Sequence, residues 1–447
     1  MLLTHNSDTR QSCIRWMAPG DCHGLPESRS HSRSTAPADV ISDHLPCQTN
    51  SCLHYNLVSP NHTVTIDKHT SPFTMEFSFR FSAAILGAGP AGFALAADLQ
   101  NHGTETLVYS HPEHQQHARK VQARGCLAVD GVFRCVQNVH ITTNMAEAVQ
   151  FSRILVLAVP SSAQESILQL LSPFDLSQHT IIAVPGNLFS LVNGLRVANV
   201  LETNLSPYSC RMDDQGRLLI FGKKKRVFIA ALHRDRVRYD EVQAVFPRVD
   251  LRWCTIIEAC LCNINGTFHP PLVLLNAGRI EDTAGEFLSY RDGLTRSVAN
   301  AMEAIDVVRS KIGAAFGLRI GSSLQISNEC YDQHFEDLVD LGRYSPPHNK
   351  LRAPPTIRNR NISEDVADLL VAWHCLAQKL GIDASPITAV IVMAQMVMGE
   401  DYMRKGRNLA KLKLEHVSRD ELVRLFTALP VRVPVVISSL EEVKASL

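Results

Sequence analysis

AAILGAGPAGFALAADLQNHG, residues 83–103, is the stretch that decides how this chain folds. Just before and into it, FSAAIL (81–86) reads as a short buried strand, and FALAADLQNHG reads as a helix. Between them Gly87, Gly89 and Gly92 stand in G-x-G-x-x-G spacing. Gly87 permits the tight turn after the strand, Gly89 lets the backbone approach a pyrophosphate, and Gly92 lets the helix pack closely. The helix opens at Pro90 and Ala91, and its first N–H groups have no intrahelical acceptor, which suits phosphate oxygens. The spacing alone is a weak signal. Strand before and helix after turn it into the expectation of a Rossmann dinucleotide-binding domain.

GAGPAG by itself suits a flavoprotein as well as a dehydrogenase. Two later runs, SRILVLAVPSSAQESILQLL (152–171) and TIIAVPGNLFSLVNGL (180–195), each read as strand, Pro-containing turn and helix. The first places Pro160 on a loop beside the nicotinamide of an NAD(P)-dependent dehydrogenase, and GAGPAG-type flavoproteins have no such run. The second strand, ETLVYS (105–110), ends at Ser110, where NAD proteins usually carry Asp or Glu on the ribose hydroxyls. A small hydroxyl followed by His111, His114, Arg119 and Lys120 suits a 2′-phosphate, so NADP(H) is favoured over NAD(H). His111, His114 and His117 mimic a metal patch but read better as a surface helix, and no metal is expected.

The bulk numbers exclude several other classes. Forty-four basic residues balance forty-four acidic ones in 447 residues, so no surface for nucleic acid is implied. KKKR at 223–226 reads as a solvated turn. No run approaches the roughly 18–20 apolar residues that span a bilayer, and the first 30 residues hold no apolar signal core. Twelve scattered cysteines without a CxxC pair fit buried thiols in a reducing cytoplasm. Segment 1–74, rich in Ser, Thr, His, Asn and Pro, reads as a disordered extension or as the product of a start assigned upstream of Met75. Its Cys13, Cys22, Cys47 and Cys52 are too far apart for a zinc knuckle.

Four later stretches resemble the octopine/nopaline (opine) dehydrogenase family, in the family's order. They are VLETNLSPYSCRMDDQGRLLIFGKKKRVFIAAL (200–232), CNINGTFHPPLVLLNAGRIE (262–281) with His269-Pro270, RNRNISEDV (358–366) with Arg360, Glu364 and Asp365, and EDYMRKGRNLAKLKLEHVSRDEL (400–422). The likeness runs over about 75–430. The chain departs from the family at Asn359 and Asn361, which flank Arg360 where His and Tyr are usual, at Ala367, and at Lys413 in place of a glycine. Those changes are expected beside the substrate pocket.

The resemblance implies a reductive condensation of an amino acid with a 2-oxo acid, pyruvate or 2-oxoglutarate, through an imine. It implies His269 as acid/base at the carbonyl or carbinolamine oxygen, a role suited to a side chain titrating near neutrality. Asp365 would fix the His269 tautomer and stabilise its protonated form, and Arg360 would fork onto a substrate carboxylate. On chemistry alone His269 could cap a turn, and Arg360 with Asp365 could be a surface ion pair at a helix start with Ser363 as N-cap.

The expected architecture is α/β: a Rossmann domain over 75–260 and an all-α domain over 261–447, of the type closing 6-phosphogluconate dehydrogenase. Val298, Met302, Ile305, Val308 and Ile312 form a core stripe on a helix within 295–318, with further buried helices over 366–382 and 387–402. Trp373 and His374 are expected to be packing residues, with His374 able to approach the cleft. Two other functions remain open at this point, a reductase of oxo or hydroxy acids without an amine partner and a non-catalytic nucleotide sensor.

Overall fold

Ala83, Ala84, Ile85 and Leu86 are all fully buried, so strand β1 (Ser82–Leu86) has apolar neighbours on both faces. Ala83 and Ile85 point into one hydrophobic cluster, Ala84 and Leu86 into another, as the period of two requires. The computed structural model describes residues 81–427. The expectations for the first 74 residues, extension and absent zinc site alike, lie outside them.

Twelve strands are present among the described residues. After β1 come β2 (Glu105–Tyr109), β3 (Leu127–Gly131), β4 (Cys135–Gln137), β5 (His140–Thr142) and β6 (Ile154–Leu157). They are followed by β7 (Leu176–Ala183), β8 (Val197–Thr203), β9 (Tyr208–Met212), β10 (Leu218–Lys223), β11 (Arg226–Ala231) and β12 (Asp250–Trp253). The main sheet has the order β12-β11-β8-β7-β6-β1-β2-β5. β5 through β8 in that row run parallel, and β11 pairs antiparallel with β8. β6 (ILVL) is buried at every position, the mark of a parallel strand covered by helices on both faces. The order reverses between β1 and β6, which places a ligand crevice at the C-terminal ends of these strands. A second sheet, β4-β3-β10-β9, carries the middle of the segment at 200–232, residues 208–223, against the first helix, Pro90–Asn101, while β8 and β11 at its two ends join the main sheet.

KKKR is not a solvated turn. Lys223 ends β10 and pairs with the buried Asp98 at 2.6 Å, and Lys224 is 8% exposed, because Tyr208 and Asp98 bring this strand end against the first helix. The histidine trio differs from expectation too: the helix there begins at Gln116, so His111 and His114 precede it in a turn.

Past β12 the described chain is helical. The helix Arg296–Ala315 is its axis, and Val298, Met302, Ile305, Val308 and Ile312 are all at most 4% exposed. Burying each such side chain contributes about 1.5–3 kcal/mol. Arg309 on the same helix is wholly buried, held by Asp306 and by the Leu261 and Gly321 carbonyls. Trp373 is in the core as expected, and His374 shares a hydrogen bond with Thr388. The helix Ser385–Met398 is buried only along Ile387, Ile391, Ala394 and Met398, while Val392, Met393, Met396 and Val397 meet solvent. It is apolar on both faces but buried on only one. No described helix is long and apolar enough to cross a membrane.

Candidate functional site

At the end of β1 the backbone of Gly87 has φ +134°, and a Cβ there would strike the Ala158 carbonyl at the end of β6. Gly89 is the N-cap of the helix Pro90–Asn101, and a Cβ on it would meet nothing within 4 Å. That open space above a helix N-terminus fits a pyrophosphate laid against the backbone. Gly92 lies against the Gly87 carbonyl, so helix and loop are in direct contact. Pro90 and Ala91 form the first helical turn.

Gly87 N donates to Tyr109 O, and Ala158 N donates to Leu86 O, so the ends of β1, β2 and β6 lie side by side. Ser110 and Pro160 therefore flank the glycine loop. Ser110 is fully buried and its hydroxyl has no partner among the described residues. A ribose hydroxyl or its phosphate would supply one, so the residues present fit a nicotinamide dinucleotide. His111, Glu113 and His114 follow, with ligand-type atoms within 4.8 Å of one another, and Arg119 is exposed with no carboxylate partner among the described residues.

His269 stands in the helix Asn265–Leu274, whose Pro270 and Pro271 remove two backbone donors. It is therefore a helical residue rather than a turn cap. Its Nδ1 lies 2.6 Å from Asp365 Oδ2. Asp365 is 1% exposed and starts a π-helical stretch, Asp365–Leu370, that leads into the helix Val371–Leu380. With the carboxylate accepting from Nδ1–H, Nε2 is left to face a substrate. Asn359, not Ser363, caps the short helix Arg360–Ser363, its side chain accepting from Asn361 N. That one-turn helix holds Arg360 with its Nη1 3.3 Å from Glu364 Oε2. Burial works against the Arg360 charge, but Glu364 and Asp365 outweigh it and hold its pKa up.

Three side chains link the two halves: Glu364, named above only as part of a motif, and Asp368 and Arg407, which the sequence reading did not single out. Glu364, 1% exposed, accepts from Ser161 N at 3.0 Å, where the helix Ser161–Leu171 begins behind Pro160. A carboxylate at a helix N-terminus is favoured by the helix dipole, although burial still pushes the Glu364 carboxyl up. Asp368 accepts from Ser161 Oγ at 2.7 Å. Arg407, 1% exposed, donates to the Gly186 and Asn187 carbonyls and to Gln164. Asn187 is also reached by Asn263, at 2.7 Å. These contacts fix the loops after β6 and β7 to the helices that carry His269 and Asp365. The only sequence signals were Ser161 after the Pro160 turn and Arg407 within a stretch already matched to the family.

Lys413, expected beside the pocket, is exposed on a turn with φ +59°, so the usual glycine there answers a left-handed backbone and not a substrate.

Residues 253–398 match the family described as NAD/NADP octopine/nopaline dehydrogenase, alpha-helical domain, and residues 82–212 match the NAD-dependent glycerol-3-phosphate dehydrogenase N-terminus. Vitopine synthase from Allorhizobium ampelinum is 27% identical over 74% of this chain and 95% of its own length. Opine dehydrogenase from Arthrobacter sp. is 25% identical over 74% of this chain and 94% of its own. Octopine dehydrogenase, solved with NADH and L-arginine, shares the fold with a TM-score of 0.61 at 17% identity, over 79% of this chain and 99% of the other. Yersinopine dehydrogenase with NADP+ bound shares it at 0.57 and 16%, over 78% and 98%. The chain thus joins a nucleotide-binding domain to the octopine/nopaline dehydrogenase alpha-helical domain, and over most of its length it is similar to opine dehydrogenases, which are NAD(P)-dependent oxidoreductases.

Proposed function

We propose that this chain is an NAD(P)H-dependent opine dehydrogenase that joins the amine of an amino acid to a 2-oxo acid, pyruvate or 2-oxoglutarate, and reduces the resulting imine. The observation that carries the reading is the part-buried His269–Asp365 pair, its Asp365 five residues past Arg360 and tied through the adjacent Glu364 to the loop at Pro160 and Ser161. When bound, the nicotinamide supplies the hydride.

The chain's own residues do the rest. Protonated His269 donates at the carbonyl oxygen while the amine attacks, takes back the proton that the new ammonium loses, and donates it again as the carbinolamine loses water. Asp365 keeps Nδ1 protonated, so Nε2 is the atom that exchanges the proton, and its charge stabilises the imidazolium. Arg360 forks onto the oxo acid carboxylate, next to the carbonyl that His269 serves. Gly87, Gly89, Pro90, Ala91 and Gly92 cradle the pyrophosphate, with Ser110 and Pro160 at the ribose and nicotinamide ends.

NADPH is the cofactor we favour: Ser110 offers no carboxylate, and His111, His114 and the unpaired Arg119 follow it. We take 75–260 and 261–447 as nucleotide and substrate domains, a division supported by the end of the last strand at Trp253 and by the helices beyond. The eight described cysteines are all free, which supports a reducing, cytoplasmic setting.

The test is absorbance decay of NADPH and of NADH with pyruvate or 2-oxoglutarate, with and without pooled amino acids. Decay only with both substrates is expected. Decay with oxo acid alone would make the chain a simple reductase, and binding of nucleotide without turnover would make it a sensor.

A further inference from the structure

An opine carries two carboxylates, and the proposed function assigns a residue to only one of them. β9 supplies a candidate for the other. Tyr208 and Cys210 on this strand are buried, and Tyr208 Oη donates to Asp98 Oδ2 at 2.6 Å, against the first helix. Ser209 and Arg211 lie on the opposite face of the strand, since side chains alternate. Ser209 Oγ donates to Pro347 O at 3.1 Å, so this face meets the helical half of the chain one residue from His348.

The groups gathered there are mostly cationic. Arg211 donates to its neighbour's carbonyl, Cys210 O, at 3.1 Å, and no carboxylate lies within ion-pair distance of it among the described residues. Surrounding protein and then the charge of Arg360 pull its pKa down, while both guanidiniums stay open to solvent. Lys224 Nζ donates to Ser206 O at 2.8 Å and sits 5.0 Å from the Tyr331 ring centre, again with no carboxylate. His348 stacks between Tyr290 and Tyr331, with ring centres 5.1 and 5.4 Å away. Burial, Lys224 and His269 push its pKa down to about 3, so it adds no negative charge and no positive one near neutrality. Glu364 and Asp365 offset Arg360, and they are committed to Ser161 and His269 as well.

Cationic groups gathered on the walls of a cleft raise the local concentration of anions there. We propose that Arg211 binds the α-carboxylate of the amine partner, opposite the oxo acid carboxylate on Arg360 and in the positive field of Lys224. This rests on the opine dehydrogenase reading. It makes Arg211 the residue that admits amino acids and rejects the same amines without a carboxylate.

Three matched pairs test it with NADPH and pyruvate: alanine against ethylamine, arginine against agmatine, and glutamate against 4-aminobutyrate. Arg211→Gln should raise the KM of the amino acid that turns over by about 10- to 100-fold, the loss of a charge-assisted hydrogen bond. It should leave the KM for pyruvate and the turnover of the bare amine near the wild-type values. Arg211→Lys should recover part of the loss. Iminodiacetate, the bare two-carboxylate secondary amine, gives a readout without turnover: its calorimetric affinity should fall by a similar factor in Arg211→Gln.

An amino acid KM unchanged in Arg211→Gln, or a rise in the pyruvate KM alone, overturns the proposal. So does iminodiacetate binding that is absent or indifferent to the substitution. If no pair turns over in the wild type but iminodiacetate binds through Arg211, the two-carboxylate site stands and the assigned reaction falls.

Discussion

Asp365→Asn isolates the electrostatic half of the proposed chemistry. The carboxylate lies 2.6 Å from His269 Nδ1 and is 1% exposed, so little water screens the pair. Two unit charges about 4 Å apart at an effective dielectric constant near 20 interact by about 4 kcal/mol, which sets the scale for stabilising a protonated His269. The amide keeps the shape and removes that charge. It also presents an NH2 that favours the wrong imidazole tautomer, and the equivalent exchange in a serine-protease triad costs about 10⁴ in turnover. We expect kcat to fall by about 10²–10⁴-fold at saturating substrates, with nucleotide affinity unchanged.

The fold should survive this substitution. Asp365 repels Glu364, whose carboxyl burial already pushes up, so neutralising it relieves a like-charge contact. Steady-state NAD(P)H decay, nucleotide binding and a melting curve are the assays. A native melt with kcat within about threefold of wild type would refute the relay, because a loss of about 4 kcal/mol cannot hide in that interval. A change confined to KM would make Asp365 a substrate-binding group instead.

Arg407→Met should lower stability by about 3–5 kcal/mol, read from chemical denaturation, because Asp368 and the Gly186 and Asn187 carbonyls lose a buried cationic donor. His348 has a folded-state pKa of about 3, below the ordinary value, so the unfolded chain takes up the extra proton as pH falls. Stability should be flat above about pH 6.5 and decline from there towards pH 3, and His348→Gln should flatten that decline in pH-dependent denaturation. Ser110→Asp should turn the nucleotide preference from NADPH towards NADH in paired KM measurements, since a carboxylate at the end of β2 accepts from ribose hydroxyls and repels a 2′-phosphate.

The sequence by itself determined the nucleotide half of the fold. GAGPAG, the apolar strands and the Pro turns at 160 and 185 are local signals, because turn geometry and strand burial act over a few residues. The stripe from Val298 to Ile312 was legible for the same reason, helical spacing being written in the chain. His269, Arg360 and Asp365 could be named in advance only through resemblance, since 96 residues separate the two members of the hydrogen-bonded pair.

Tertiary structure alone decided where charges meet. KKKR looked like a solvated turn because nothing local shows that Asp98, on a helix far earlier in the chain, waits for Lys223. Lys413 looked like a pocket residue because φ cannot be read from a side chain. Arg407 met Ser161 and Asn187, and Arg211 came into the field of Arg360, only once the two halves of the chain were packed. Hydrophobic period and backbone propensity are properties of neighbours in sequence. Desolvation and Coulomb interaction depend on distance in space, and this site is built from them.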